Sequence, residues 1–146
     1  MRATVLAMLG LLVGLIAASP VAAETGSATE AAGSFVYVTV AGAPGDGEQA
    51  LTAALSRQLV ARGLKQATAF QANVYEVQGT VRIAPVGKGK ESVTIIWVVL
   101  GPDGTQLGVT KQTRDVCKGS LDKTWGPAAN AAASAAAADI AKLIPR

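Results

Sequence analysis

The chain has 146 residues, of which 50% are hydrophobic and 16% are charged, with one Cys, no His and a net charge of +3. This length predicts one domain, and a chain with one Cys and no His excludes His-based catalysis, Cys–His nucleophiles and zinc clusters built from those ligands. The mean hydropathy of +0.36 is high for a small soluble protein, which indicates a strongly apolar segment within the chain.

The apolar excess lies at the start of the chain. Arg2 precedes an uncharged apolar run, Val5 to Ala18, and Pro20 and the small residues Val21-Ala22-Ala23 follow it. This layout predicts a secretory signal peptide over residues 1–23, cleaved after Ala23. The alternative is a retained membrane anchor, but a helix of this length falls short of a hydrocarbon core about 30 Å thick. No lipobox Cys follows the run.

Removal of the first 23 residues leaves a chain of ordinary composition. Those residues hold 17 hydrophobic side chains, and the remaining 123 are about 46% hydrophobic with a net charge of +2, a normal globular share. That charge is too small for a nucleic-acid footprint. We therefore expect an exported, periplasmic protein without a nucleic-acid partner. Residues 24–34 are small and polar, which predicts a flexible tether before a single domain at 35–144.

The first half of the domain predicts a strand followed by a helix. Phe35 to Val40 is rich in β-branched and aromatic residues, as strands are. A turn at Ala41 to Gly47 leads into the helix, with Asp46 as the N-cap and Gln49 at N3 of a capping box. Gly63 is placed to end the helix in a left-handed conformation. The apolar stripe of the helix consists of Leu51, Leu55 and Leu59.

Three further strands and a helix complete the pattern. Asn73 to Ala84 alternates apolar and polar residues, Ser92 to Leu100 is the next strand, and Thr105 to Thr113 pairs back after a Pro-Asp-Gly turn. An Ala-rich helix spans about Ser120 to Leu143, with Ser120 able to cap it. Pro127 either starts a helix that follows a looser turn or kinks a longer one, and ordered helix is expected from Pro127 onward.

The order β-α-β-β-β-α predicts an α+β fold, a two-layer sandwich in which two helices cover one face of a four-stranded sheet. If the first two strands are neighbours, their helical connection makes them parallel.

Several motifs together resemble a known group of proteins. The motifs are Val38-x-Val40, Gly42-x-Pro44-Gly45-Asp46-Gly47, Tyr75-x-Val77-x-Gly79-x-Val81, Gly101-Pro102-Asp103-Gly104 and Gly119-Ser120-Leu121-x3-Trp125-Gly126. They resemble small uncharacterised exported proteins and lipoprotein domains of alphaproteobacteria. The fold is also similar to LptE, the amino-terminal domain of TolB and CsgG-like envelope domains. The resemblance implies a noncatalytic binding or assembly module, which is an inference by analogy of fold.

No constellation for catalysis, cofactor binding or metal binding stands out. The loop Gly42 to Gly47 has the spacing G-x-x-G-x-G rather than that of a dinucleotide-binding loop, and a turn before a helix accounts for it. Glu76 and Glu91 are the carboxylates that flank strands, and exposed, solvated positions account for both. We therefore expect the protein not to be an enzyme.

The strand before the Pro-Asp-Gly turn offers the strongest candidate for a binding surface. Both of its rows are apolar, and two helices can cover only one of them. The second row, Ile96, Val98 and Leu100, is therefore either an exposed interaction surface or shielded by the tether or by long side chains. Lys88 and Lys90 are expected at its rim.

Two kinds of partner fit this surface, and both remain open. The first is an envelope protein or a second copy of the chain. The second is a lipid or glycolipid such as anionic lipid or lipopolysaccharide, which Lys88 and Lys90 would attract. Cys117 is either a reactive or dimer-forming thiol, with Lys118 next to it, or a tolerated side chain without a function.

Overall fold

Seven elements of secondary structure follow one another along residues 33–145, the part of the chain that the computed structural model describes. They are β1 (Phe35–Ala41), α1 (Gly47–Val60), β2 (Lys65–Gln66), β3 (Val74–Gly87), β4 (Lys90–Leu100), β5 (Gln106–Cys117) and α2 (Gly126–Leu143). The predicted signal peptide (1–23) and residues 24–32 of the predicted tether lie outside the described residues. No helix within residues 33–145 is long and apolar enough to cross a membrane.

The strands form one mixed sheet in the order β2-β1-β3-β4-β5. β1 is parallel to β2 and to β3, whereas β3, β4 and β5 form antiparallel neighbours. The predicted α+β class and the parallel pairing across α1 are confirmed, but the predicted count of four strands is one too low. The additional strand, β2, has only two residues, and backbone bonds hold it: Lys65 N–H donates to the Ser34 carbonyl at 3.0 Å and Ala67 N–H to the Val36 carbonyl at 2.8 Å.

Both helices pack on one face of the sheet, where the buried core lies. The strand residues that contribute to this core are Val36, Val38, Val77, Val81, Val93, Ile95, Trp97 and Val99. The predicted stripe of α1 is confirmed, because Leu51, Leu55 and Leu59 are each no more than 1% exposed.

Two glycines let large side chains approach the sheet backbone. Gly79 lies opposite Trp97 in the β3–β4 register, and a Cβ on Gly79 would be only 2.5 Å from Cζ3 of the indole. A Cβ on Gly108 would be 2.7 Å from Cδ1 of Leu143. The first glycine makes room for the largest core side chain, and the second lets the end of α2 lie close to β5.

The start of α1 differs from the predicted capping box. Asp46 is at the N-cap position, but its side chain makes no cap hydrogen bond. Its Oδ1 instead accepts a bond of 2.8 Å from the backbone N–H of Trp125, and its own N–H donates to the Lys123 carbonyl at 3.0 Å. Asp46 therefore links the turn before α1 to the turn before α2. Its carboxylate accepts the distant Trp125 N–H instead of an N–H group in the first turn of α1.

The last helix begins at Gly126, with Pro127 in its first turn. The prediction that Ser120 caps this helix is wrong, and the prediction of ordered helix from Pro127 onward is confirmed. Proline suits the first turn because that position needs no N–H donor and already requires the φ of the proline ring. The preceding residues form turns in which Ser120 N–H donates to the Cys117 carbonyl at 3.1 Å.

The predicted Pro-Asp-Gly turn connects β4 to β5. Gly104 has a φ of +81°, as the sequence predicts. Oδ1 of Asp103 accepts a bond of 3.0 Å from Thr105 N–H, and Oδ2 accepts one of 2.8 Å from the Thr105 hydroxyl. These bonds stabilise the charged carboxylate and hold the pKa of Asp103 below its usual 3.8, the backbone N–H having the larger effect.

Candidate functional site

The sheet face opposite the helices has no helix or strand packed on it among the described residues. We call it the open face, and its central apolar row on β4 consists of Ile96, Val98 and Leu100. All three side chains are half-buried, whereas Ile95, Trp97 and Val99, which alternate with them along the strand, are no more than 4% exposed. The alternation predicted for this strand is therefore present, with one row in the core and the other on the open face.

Neighbouring strands give the central row mixed surroundings. Thr80 and Lys111 lie directly opposite Ile96, and Gln78 and Val109 lie directly opposite Val98. Val109 is 50% exposed, so the apolar surface continues from β4 onto the edge strand. The polar side chains of Gln78, Thr80 and Lys111 border it.

The β1 side of the open face carries one exposed aromatic residue. Phe35 on β1 is 48% exposed, and the Nζ of Lys65 lies 5.6 Å from the centre of its ring. Between Phe35 and the central row, Gln78 donates a 3.0 Å hydrogen bond to the carboxylate of Glu76. Polar side chains of β3 therefore separate Phe35 from the apolar row on β4 and from Val109 on β5.

The predicted basic rim is not adjacent to this row. Lys88 lies in the β3–β4 turn with a φ of +54°. Lys90 is in the same row of β4 as Ile96 but six residues away, about 20 Å at the rise of a β-strand. Lys111 is the basic residue directly opposite Ile96. This proximity depends on the register of β4 and β5, which residue spacing along the chain does not reveal.

Cys117 is exposed at the end of β5, where it lies opposite Lys90. Lys118 N–H donates to the Gly89 carbonyl at 2.9 Å, which joins this end of β5 to the β3–β4 turn. The thiol therefore lies at the basic end of the open face, away from Ile96 and its neighbours. The structure brings Cys117, Lys88 and Lys90 together and leaves the central apolar row separate from them.

A second surface feature, a groove, lies between β5 and α2 on the helix side of the sheet. The groove has a volume of about 810 Å³ and extends from Cys117 and Arg114 to Pro127 and Ala135. Two contacts join α2 to β5 beside the groove: Leu143 lies close to Gly108, and the Gln112 side-chain amide donates a 3.0 Å bond to the Ala132 carbonyl. Sequence reasoning did not predict the groove, since it depends on the angle between a helix and a strand. The one sequence signal for the groove is that polar residues of β5 occur on both sides of the strand, which indicates that α2 covers this strand incompletely.

The carboxylates considered at the sequence level do not meet. Glu76 lies opposite Leu100 on the open face, whereas Glu91 lies nine residues earlier along β4 and on the other face. Their separation along the strand is about 30 Å, far more than a carboxylate pair needs for glycoside hydrolysis. Within residues 33–145, no three His, Cys, Asp or Glu side chains form a group that could hold a metal ion.

The fold and the open face define a small two-layer α+β domain with one covered and one uncovered sheet face. No protein-family model matches the chain, and no curated protein matches it at a significant level. An uncharacterized protein of known structure aligns with a TM-score of 0.51 and 14% identity, covering 76% of this chain and 92% of that one. This likeness shows a shared fold.

A minor lipoprotein from Acinetobacter baumannii also aligns with the chain, with a TM-score of 0.46 and 12% identity. The alignment covers 75% of this chain and 93% of the lipoprotein.

Proposed function

We propose that this protein is a noncatalytic module of the cell envelope that binds a partner protein on the open face. The observation that carries this proposal is the apolar row Ile96, Val98 and Leu100, which no described helix or strand covers, next to the half-exposed Val109. Apolar residues that are contiguous on a folded surface typically mark interaction sites. Because the sequence predicts export, we expect the partner in the periplasm.

The composition of the open face suits a protein partner. Interfaces combine an apolar centre with a polar rim that supplies hydrogen bonds. Here Val98 and Val109 lie at the centre, while Gln78, Thr80 and Lys111 border them.

The first test compares two variants that add the same lysine side chain at different places. Ile96→Lys puts a charge at the centre of the open face, whereas Ala138→Lys puts it at an exposed position of α2, on the other layer. The proteins are cross-linked in the native envelope and isolated. We expect the same cross-linked partner with the unchanged protein and Ala138→Lys, and its loss with Ile96→Lys. An identical pattern for all three proteins, each folded, contradicts the proposal.

A second candidate function is binding of a lipid or glycolipid on the same face. Lys111 and Arg82 favour it, because the register places both on the open face, opposite Ile96 and Thr94. Flotation with anionic phospholipid vesicles tests this candidate. Lipid binding predicts association at low salt that weakens as salt is added, and a protein that stays with the unbound fraction at low salt excludes it.

A further inference from the structure

The edge strand β5 leaves one side of its backbone without a partner among the described residues. It spans 12 residues, Gln106–Cys117, and pairs only with β4. Such an edge presents unpaired N–H and C=O groups that can accept another strand. The opposite edge of the sheet is the two-residue β2, so β5 is the edge long enough to support a stable pairing.

We propose that two copies of this chain pair antiparallel through β5, with the twofold axis at Thr113, and form a continuous ten-stranded sheet. In an antiparallel pair, opposite residues either both face each other with their N–H and C=O groups or both face away. Neighbouring residues along a strand direct their N–H and C=O groups to opposite sides, so residue i of one copy cannot lie opposite residue i+1 of the other. A symmetric pair of identical strands must therefore place one residue opposite its own copy. The possible registers therefore differ only in which residue lies on the axis.

The charges on β5 distinguish these registers. With Thr113 on the axis, Lys111 of each copy lies directly opposite Asp115 of the other, so two complementary pairs form. An axis at Lys111, Arg114 or Asp115 places a charge opposite its own copy, which is unfavourable for directly opposed strand residues. An axis at Gln112 leaves every charge opposite a neutral residue. The register centred on Thr113 is the one near the middle of the strand that pairs opposite charges.

This pairing also determines the neighbours of Val109 and Cys117 at the exposed edge. Residues 109–117 of the two copies would pair, which places Val109 opposite Cys117 of the second copy. Half of the Val109 side chain is exposed in the single chain, and the pairing adds a neighbour on its strand-edge side while its open-face side stays exposed. The two Cys117 thiols would then be eight residues out of register, about 26 Å apart, so the dimer contains no disulfide between them.

The proposal goes beyond the proposed function, because it concerns the edge of the sheet rather than its open face. Dimerisation leaves Ile96 and Val98 uncovered and doubles the open face. The oligomeric state and the binding of a partner are therefore separate measurements, and either can fail without the other.

Charge exchange tests the register. Protein isolated after expression of the full-length chain is compared with Lys111→Asp, Asp115→Lys and the double exchange by sedimentation equilibrium. We expect a dimer whose dissociation constant rises at least tenfold in each single variant and returns to within about threefold in the double exchange. Lys123→Asp makes the same charge change in an exposed loop and should have no effect. A monomer at all concentrations, or a double exchange no tighter than the single variants, overturns the proposal.

Engineered cysteines give an independent test that does not depend on the charge variants. In a Cys117→Ser background, Thr113→Cys places two thiols directly opposite each other, at a Cα separation of about 4.5–5.5 Å that suits a disulfide. Gln112→Cys is the control, because its copies would be about 8 Å apart, beyond the range for bridging. We expect oxidation to link Thr113→Cys into covalent dimers and to leave Gln112→Cys monomeric on a denaturing gel. The reverse result, or no dimer from either variant, overturns the register.

Discussion

The close approach of Gly79 to Trp97 predicts how much stability is lost when a side chain is added at Gly79. An added Cβ at Gly79 would lie 2.5 Å from Cζ3, 2.8 Å from Cε3 and 3.1 Å from Cη2 of the indole. Carbon atoms in contact are normally about 3.5–4.0 Å apart, so the ring would have to move by about 1 Å. Trp97 is 0% exposed, and its neighbours must move with it. Overpacking of this kind costs about 1–3 kcal/mol.

Urea denaturation of Gly79→Ala measures this cost. We expect the free energy of unfolding to fall by about 2 kcal/mol. Ser134→Ala is the control, because Ser134 is exposed on α2, and this change should be neutral within about 0.5 kcal/mol. In a Trp97→Leu background the Gly79→Ala change should cost much less, since the obstructing ring is absent.

Two results would refute this reasoning. If Gly79→Ala changes the free energy of unfolding by less than about 0.5 kcal/mol, within the range of ordinary surface substitutions, the close approach is not present. If the cost is equal with and without the indole of Trp97, its cause is not the ring.

Three other measurements check separate parts of the structure. Asp46→Ala removes the acceptor for the Trp125 N–H and should lower the free energy of unfolding by about 1–2 kcal/mol, and no change in urea denaturation would count against the tie between the two turns. Ile95→Ala should cost about 2–5 kcal/mol because the side chain is buried in the core, whereas Ile96→Ala should cost markedly less; equal losses would mean that the open face is covered. The pKa of Asp103, measured by NMR titration, should lie below 3.8; since the folded state favours the charged form, the stabilisation is present above the unfolded pKa and is lost as the pH falls through the folded pKa.

Local patterns predicted the elements whose causes are local. Pro127 and the Ala-rich run after it predicted the start and course of α2, and the Pro-Asp-Gly turn has the φ that its Gly104 was expected to adopt. The leucine stripe of α1 followed from helical periodicity in the same way. In each case the residues that decide the conformation lie within a few positions of one another.

Features that depend on distant residues were missed or misplaced. The carboxylate of Asp46 binds an N–H donor 79 residues further along the chain, so the local capping box does not form. The strand β2 has no periodicity of its own because it consists of two residues held by the backbone of β1.

The candidate site likewise has one part that the sequence predicts and one part that depends on contacts between distant residues. The apolar row Ile96, Val98 and Leu100 could be predicted, because the number of helices limits how many sheet faces are covered. The basic residue beside it could not, because Lys111 reaches Ile96 only through the register of β4 and β5. Lys90 begins β4 and Lys88 precedes it, so both lie at the start of the strand, at least six residues from Ile96.

Site-specific cross-linking on the open face tests the central claim most directly. A photoreactive amino acid is placed at Val98, and at Ala138 as the control, in cells that produce the full-length chain. We expect a discrete adduct with another envelope protein from position 98, none from position 138, and loss of the adduct when Ile96→Lys is added. Equal labelling from both positions, or no adduct from position 98 in folded protein, would contradict the claim that the open face binds a protein partner.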